Sequence, residues 1–345
     1  MTGVCIIGSG LVSAVGLDAP STCAAIRCAL DNFQESRFLD RGGEWQIAAS
    51  VRLEQSWSGR LKLIKMASRA IAEALQSLPA AEPGQIPLLL GVAEHERPGR
   101  LPGLDLSLIP AIETELGVRF HSSSSVIARG RVSGAVGMLN ASKMFKQGEH
   151  RHVLVAGVDS FLNATTLCTF EDRHRLLTSR NSNGFIPGEG AAVVLLEASN
   201  PKNEAQLSCI GLGFGMEKAT IENADLPLRA DGLTQALRAA LSEASCGLEH
   251  MDYRLTDLSG EQYYFKEASL ALSRTMRVRK EKLDLLHPAD CIGECGASIG
   301  PTLLAVALAA SRKGYGEGPN ILCHLGNDAG ERAVVLLSYQ NIGAC

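Results

Sequence analysis

The sequence predicts an α/β fold built from two duplicated β/α halves, and three observations carry that expectation. Nearly polar-free runs such as His152–Val158 and Ala191–Leu196 alternate with segments of helical apolar spacing, as in a sheet covered on both faces. The run Gly188-Glu189-Gly190-Ala191-Ala192-Val193-Val194-Leu195-Leu196 returns as Gly330-Glu331-Arg332-Ala333-Val334-Val335-Leu336-Leu337, so both halves end on similar strands. Two helices unusually rich in Ala and Gly, one after Arg131 and one over Ala297–Ser311, suit a pair of central helices packed on each other.

Val4–Gly8 reads as a first buried strand, with a helix over Thr22–Leu30 behind it. Gly8-Ser9-Gly10 has two glycines of a dinucleotide loop, but Ser13 stands at the third, which argues against a nucleotide cofactor. Leu61, Ile64, Ala67, Ile71 and Leu75 mark one face of a helix over Leu61–Leu78, and Ile86–Val92 is the strand after it. Ser125–Ala128 is then a short strand and Arg129-Gly130-Arg131 a tight turn in which Gly130 takes positive φ. A helix opens at Val132 or Ser133, with Ser133 as its cap. Its Gly134, Ala135, Val136, Met138, Leu139 and Ala141 are too small and apolar for a surface helix. After the strand His152–Val158 comes a polar Leu176–Gly190 stretch and the strand Ala191–Leu196. The second half reads as strand Leu207–Phe214, helix Asp231–Ala244, strand Leu255–Leu258 and helix Tyr264–Thr275. A glycine turn at Cys291–Gly296, the helix Ala297–Ser311 and the strands Asn320–His324 and Ala333–Tyr339 complete it.

Composition excludes several classes. The 345 residues are 46% hydrophobic with a formal charge of −4, enough for one large core or two ordinary ones, and the basic residues give no nucleic-acid footprint. Ten cysteines fall mostly inside apolar runs such as Val4-Cys5-Ile6-Ile7, which reads as buried free thiols in a reducing compartment. The N-terminal MTGVCIIGSG lacks the basic region of a signal peptide and breaks into glycines after four apolar residues, so a cytoplasmic protein without a membrane segment is expected. His287, Cys291 and Cys295 are spaced four apart, but Pro288, Gly293 and Gly296 argue against the helix that would align them on a metal, and no metal is expected. His174, His287 and His324 stand singly, without an acidic partner in sequence.

The run from Asn183 to Glu197, with Gly184-Phe185 and Gly188-Glu189-Gly190-Ala191, resembles the Asp-Gly-Phe-x-x-Gly-Glu-Gly-Ala block of β-ketoacyl-acyl-carrier-protein synthases, members of the thiolase superfamily. Gly8–Gly16, Val155-Ala156-Gly157 and Gly296-Ala297-Ser298-Ile299-Gly300 agree with further family blocks in order and approximate spacing. The resemblance therefore spans nearly the whole chain. It implies a thiolase-like five-layer αβαβα fold with an N-terminal half over 1–200, a C-terminal half over 201–345, and no cofactor.

The resemblance also implies a Cys nucleophile at the elbow and two imidazoles, and this chain departs at each position. Arg131 falls where the Cys is expected. Asp257-Leu258-Ser259-Gly260 resembles Asn-Ala-His-Gly with Ser259 at the first His, and Cys291-Ile292-Gly293-Glu294 resembles the Thr-Gly-His block with Glu294 at the second. The family lysine would fall near Ala289, and Gly326–Gly330 stands for the Gly-Phe-Gly-Gly loop. A guanidinium stays protonated and cannot carry an acyl group, so no catalytic triad is expected here, and Cys295 is the candidate substitute nucleophile. Two readings follow. One is a non-catalytic partner or accessory protein: a chain-length-factor-like subunit, or an adaptor for protein cargo such as that of a secretion system. The other is an acyltransferase or decarboxylase of fatty-acid or polyketide metabolism with a rearranged site.

The expected partners are a second copy or another thiolase-fold subunit, an acyl carrier protein or a protein cargo, with neither nucleic acid nor membrane. The strand Val153–Ala156 is expected at an exposed edge that a dimer would cover. Arg131 is expected in a bidentate pair with Glu294, with Ser259 as hydrogen-bond neighbour. The chain is shorter than typical synthases around the site, so no deep acyl tunnel is expected.

Overall fold

The structure, a computed structural model, describes residues 3–78, 82–199, 205–223 and 225–341. The boundary expected between residues 200 and 201 lies outside the described residues. The first part runs β1 (Val4–Val12), α1 (Ala19–Arg27), β2 (Gln34–Leu39), β3 (Trp45–Ala48), α2 (Gly59–Leu75), β4 (Leu88–Gly91) and α3 (Leu108–Leu116). It continues with β5 (Ser125–Ile127), α4 (Ser133–Gln147), β6 (His152–Ser160), α5 (Ala164–Asp172) and β7 (Glu189–Ala198). The second part has β8 (Ala205–Met216), α6 (Asp231–Ala244), β9 (Tyr253–Thr256), α7 (Gln262–Thr275) and β10 (Asp284–Leu286). It ends with α8 (Ala289–Ile292), α9 (Ile299–Lys313), β11 (Asn320–Gly326) and β12 (Glu331–Asn341).

Among the described residues ten strands form one sheet in the order β10-β9-β11-β12-β8-β1-β7-β6-β4-β5, and β2 and β3 form a separate hairpin. Leaving the hairpin aside, each part repeats one plan: third, second, fourth, fifth, first, with the fifth strand antiparallel to its neighbours. The two sets meet where Val4–Ile6 of β1 lies antiparallel to Leu207–Cys209 of β8.

Packing resolves the chain into five layers. Leu63, Ala67, Ala70, Ile71 and Ala74 recur at helical spacing along α2 and bury against the β4, β6 and β7 residues Leu88, Leu90, Leu154, Val193 and Leu195. The opposite faces of β6 and β7, through Val153, Val155, Val194 and Leu196, share a central core with α4, α9 and the inner faces of β9, β11 and β12. The outer face of that second set, through Leu322, Val334 and Leu336, packs on α6 and α7. The order is therefore helix, sheet, central helices, sheet, helix. The two central helices come close because Gly134 and Gly300 face each other, and a Cβ on Gly134 would stand 2.8 Å from Pro301 Cδ. No helix among the described residues is long and apolar enough to cross a membrane.

The structure corrects several expectations. β6, expected at an edge, is paired on both sides, with β4 and β7; the edge strand of the first set is β5. An all-apolar strand is buried on both faces, so it belongs in the middle of a sheet, whereas β5, with exposed Ser125 and half-buried Val126, tolerates the rim. Gly8 and Gly10 lie inside β1, not in a turn. Helix α1 starts before Thr22 because Asp18 accepts from Ser21 N as its N-cap and Pro20 suits the first turn. The strand read over Leu255–Leu258 spans Tyr253–Thr256, which leaves Asp257–Gly260 free at its end. The hairpin, α3, α5 and β10 had not been expected.

Candidate functional site

The site lies where β5 and β9 end and where the turns before α4 and α9 meet. Gly130 has φ +53, which favours glycine at the elbow, and a Cβ there would also push the Glu94 carboxylate aside. A single 3-10 turn, Gly130–Val132, then feeds α4. Ser133 does not cap this helix: its hydroxyl accepts from Arg129 N at 3.2 Å and donates to Ile127 O at 2.9 Å, tying the elbow to the end of β5.

Arg131 projects from that turn and is 6% exposed. Its Nη2 donates to Tyr264 Oη at 2.7 Å and to Asp328 Oδ1 at 2.9 Å, its Nη1 to Glu294 Oε2 at 3.4 Å, and its Nε lies 3.9 Å from Asp257 Oδ2. The expected bidentate pair with Glu294 is thus replaced by one long contact, because Asp328 and Tyr264 take the closer positions. Ser259 Oγ donates to Glu294 Oε2 at 2.9 Å, and the other Glu294 oxygen accepts from Gly296 N at 2.9 Å. Arg131, Ser259 and Glu294, distant in sequence, are in one cluster.

A second guanidinium extends the network. Arg175 forks onto Glu261, Nε to Oε1 at 2.7 Å and Nη2 to Oε2 at 2.8 Å, and its Nη1 donates to Asp328 Oδ2 at 2.6 Å. Asp328 therefore bridges Arg131 and Arg175, and it also accepts from Tyr264 Oη at 2.5 Å. Burial alone would raise the Asp328 carboxyl, but Arg175 and Arg131 outweigh it and hold the group well below the usual carboxylate range. Asp257 goes the other way: burial pushes it up to about 6 against the pull of Arg131 and a hydrogen bond from Gly326 N. On the far side Arg97 pairs with Asp159 and, at 3.2 Å, with Glu94.

A cavity of about 180 Å³ opens beside Arg131, lined by Arg97, Arg173, Arg175, Glu94, Glu222, Glu294 and Asp328 and by the rings of Phe161 and Phe170, each edge-on to Phe185. Arg97 and Arg175 lie over the Phe161 and Phe170 rings at 4.2 and 5.0 Å. The charged side chains of the lining are paired with one another, Arg97 with Glu94, Arg173 with Glu222 and Arg175 with Asp328, and the three rings make much of the remaining wall apolar.

Cys295 is 1% exposed, packs into the central core, and its thiol is pushed well above its ordinary range by burial and then by Glu294, which makes it a poor nucleophile. Cys291 belongs to the same core, and His287 turns away to Asp290. His324 is buried, and burial, then Arg254 and Arg332, lower it to about 3. His174, in left-handed conformation, sits between Arg173 and Arg175 without entering the cavity lining. Sequence reading missed Tyr264, Arg175, Glu261 and Asp328. An acid in the Gly326–Gly330 loop, where the family block has only Gly and Phe, was the available signal for one of them.

The raised Asp257 carboxyl has a consequence for stability. Its charged form is disfavoured in the fold, so above pH 6 it subtracts stability, and the penalty fades as pH falls from 6 to about 4, the unfolded value. Asp257→Asn should therefore raise the unfolding free energy at pH 8 by roughly 1–2 kcal/mol, and by distinctly less at pH 4.5. A variant less stable than the parent at pH 8 would show that Arg131 needs this carboxylate charged.

A family description, the N-terminal domain of β-ketoacyl synthase, matches residues 126–201. A Streptomyces coelicolor protein named "Actinorhodin polyketide putative beta-ketoacyl synthase 2" is 26% identical over 214 residues, 57% of this chain and 50% of that one. A polyketide β-ketoacyl synthase 2 of Streptomyces cyaneus, itself named as putative, is 25% identical over 194 residues, 52% and 46% of the two chains. The matches thus span about half the length of these curated relatives. Among solved structures, the ishigamide ketosynthase/chain length factor superposes with a TM-score of 0.76 at 17% identity, covering 98% of this chain and 99% of that one. A type II polyketide synthase acyl-carrier protein in complex with its ketosynthase gives 0.79 at 14%, with 97% and 98% covered. At these identities the structures establish the thiolase-like ketosynthase fold.

Proposed function

For a chain that is a thiolase-like member of the β-ketoacyl synthase family, we propose a role in binding: it has left condensation behind and serves as a partner or accessory subunit, in the manner of a chain length factor. One observation carries the reading. The position that matches the family nucleophile is Arg131, and its guanidinium is paired with the carboxylates of Asp328, Glu294 and Asp257 and hydrogen-bonded to Tyr264. A permanently protonated side chain cannot hold an acyl group, and neither Ser259 nor Glu294 can supply the imidazole N–H donors that an enolate requires. In this reading the halves 1–200 and 201–345 are a duplicated pair, the first contributing Arg131 and the second Ser259, Glu294 and Asp328 to one polar plug. The structural relatives named for a ketosynthase and its chain length factor or carrier protein support a subunit that docks another thiolase-fold chain or a carrier protein.

The unpaired edge of β5 is the face we assign to a second thiolase-fold subunit, a like chain by default. Sedimentation at micromolar concentration should show a dimer, and a monomer would transfer that edge to a different partner. Intact mass after incubation with acyl-CoA or acyl-loaded carrier protein should be unchanged. An acyl adduct on any cysteine would overturn the binding reading in favour of an enzyme with a rearranged site.

A further inference from the structure

The far edge of the ten-stranded sheet carries a feature that the Arg131 cluster does not use. β10 is the last strand of the second set, three residues long and paired only with β9, so one row of its backbone N–H and C=O groups faces outward. The segment that feeds it, residues 274–282, concentrates Arg274, Arg277, Arg279, Lys280 and Lys282 against the single acid Glu281, in a chain whose net charge is −4. Arg274 is taken up by Asp231, Lys280 by Glu249 O, and Lys282 by Asp284 and Glu317. Arg277 and Arg279 are exposed, and neither forms an ion pair among the described residues. Between them Val278 is 54% exposed, and Leu286 at the end of β10 is 46% exposed. Because the segment precedes β10 and Asp257 follows the parallel β9, the basic segment enters at the end of the strands opposite Arg131, whereas Leu286, paired with Leu255, lies at the other.

We infer that this edge is a docking surface for an acidic, extended segment of another polypeptide, which would pair with β10 while its carboxylates meet Arg277 and Arg279. An outward strand edge and the exposed Val278 and Leu286 serve a peptide backbone with alternating side chains, whereas a phosphate backbone would use only the charges. Charged side chains beside a short edge strand, lysine above all, also keep edges from sticking to one another, and that role alone would need neither a bound peptide nor strand pairing. The pairing requirement and the sign of the charge are therefore what the test must read.

A fluorescent ten-residue peptide of alternating Glu and Val, titrated with the full chain and followed by anisotropy, should bind saturably and weaken as salt rises. The double variant Arg277→Glu/Arg279→Glu, with an unchanged unfolding midpoint, should lose roughly tenfold or more in affinity. The same peptide N-methylated at alternate amides should also lose binding. Absence of binding by the parent chain, retention by the charge-reversed variant, or retention by the N-methylated peptide would overturn the inference. So would tighter binding of an oligothymidylate of equal length, which would make the patch a nucleic-acid site.

Discussion

Replacing Arg131 by Met should lower stability by about 3–5 kcal/mol at pH 7.5, the cost of leaving buried carboxylates without their shared cation. Asp328, Glu294 and Asp257 all face this guanidinium, and Asp328 also has a second one, Arg175, within hydrogen-bond distance. The deficit should depend on pH in a defined sense. A carboxyl whose folded pKa is depressed, as Asp328's is, contributes stability that is present above its unfolded value near 4 and is lost as pH falls through the lower folded value. Without Arg131 part of that contribution is missing, so the deficit should hold from neutral pH down to about 4 and shrink only below it, as pH falls toward the folded value. Urea unfolding at pH 7.5 and at about pH 3 measures both terms, and equal midpoints at pH 7.5 would show that Arg131 is not the keystone of the cluster. Adding Asp328→Asn to the variant should recover part of the loss. Arg131→Cys should not restore condensation, because no imidazole stands at Ser259 or Glu294.

A comparable loss is expected from Glu267→Ala, about 3–5 kcal/mol, for a pair that never touches the cavity. Arg332 and Glu267 are each 2% exposed, and Arg332 Nε donates to both carboxylate oxygens at 2.8 and 2.9 Å, joining β12 to α7. The same guanidinium donates through Nη1 to the carbonyls of Asn327 at 2.8 Å and Glu331 at 3.0 Å, so it also holds the turn that carries Asp328. Hydrogen exchange over residues 326–331 should accelerate in Glu267→Ala. In the double variant Glu267→Met/Arg332→Met the midpoint should recover substantially while the turn still exchanges fast, since apolar packing replaces the ion pair but not the carbonyl anchors. Recovery of both would mean that the turn holds itself.

Sequence alone determined the layered α/β plan, because burial on both faces leaves its mark on every residue of a strand: Val193–Leu196 and Val334–Leu337 could be read directly, and their likeness exposed the duplication. It also singled out Arg131, Ser259 and Glu294 through blocks that resemble the family's, since a residue type at a motif position needs no coordinates to be noticed. Helix α6 was read to the residue because its apolar spacing is regular, whereas β10 and the β2–β3 hairpin are short and half exposed and carry too little periodicity to be seen. Strand order was decided only by tertiary structure: local sequence reports how buried a strand is, not which strands flank it, and so β6 was placed at an edge that β5 occupies. The partners of Arg131 were decided there too. Tyr264 and Asp328 lie 133 and 197 residues away in sequence, and which acid comes closest to a buried guanidinium depends on how loops from four separate elements meet, a balance of desolvation and geometry that no local pattern encodes.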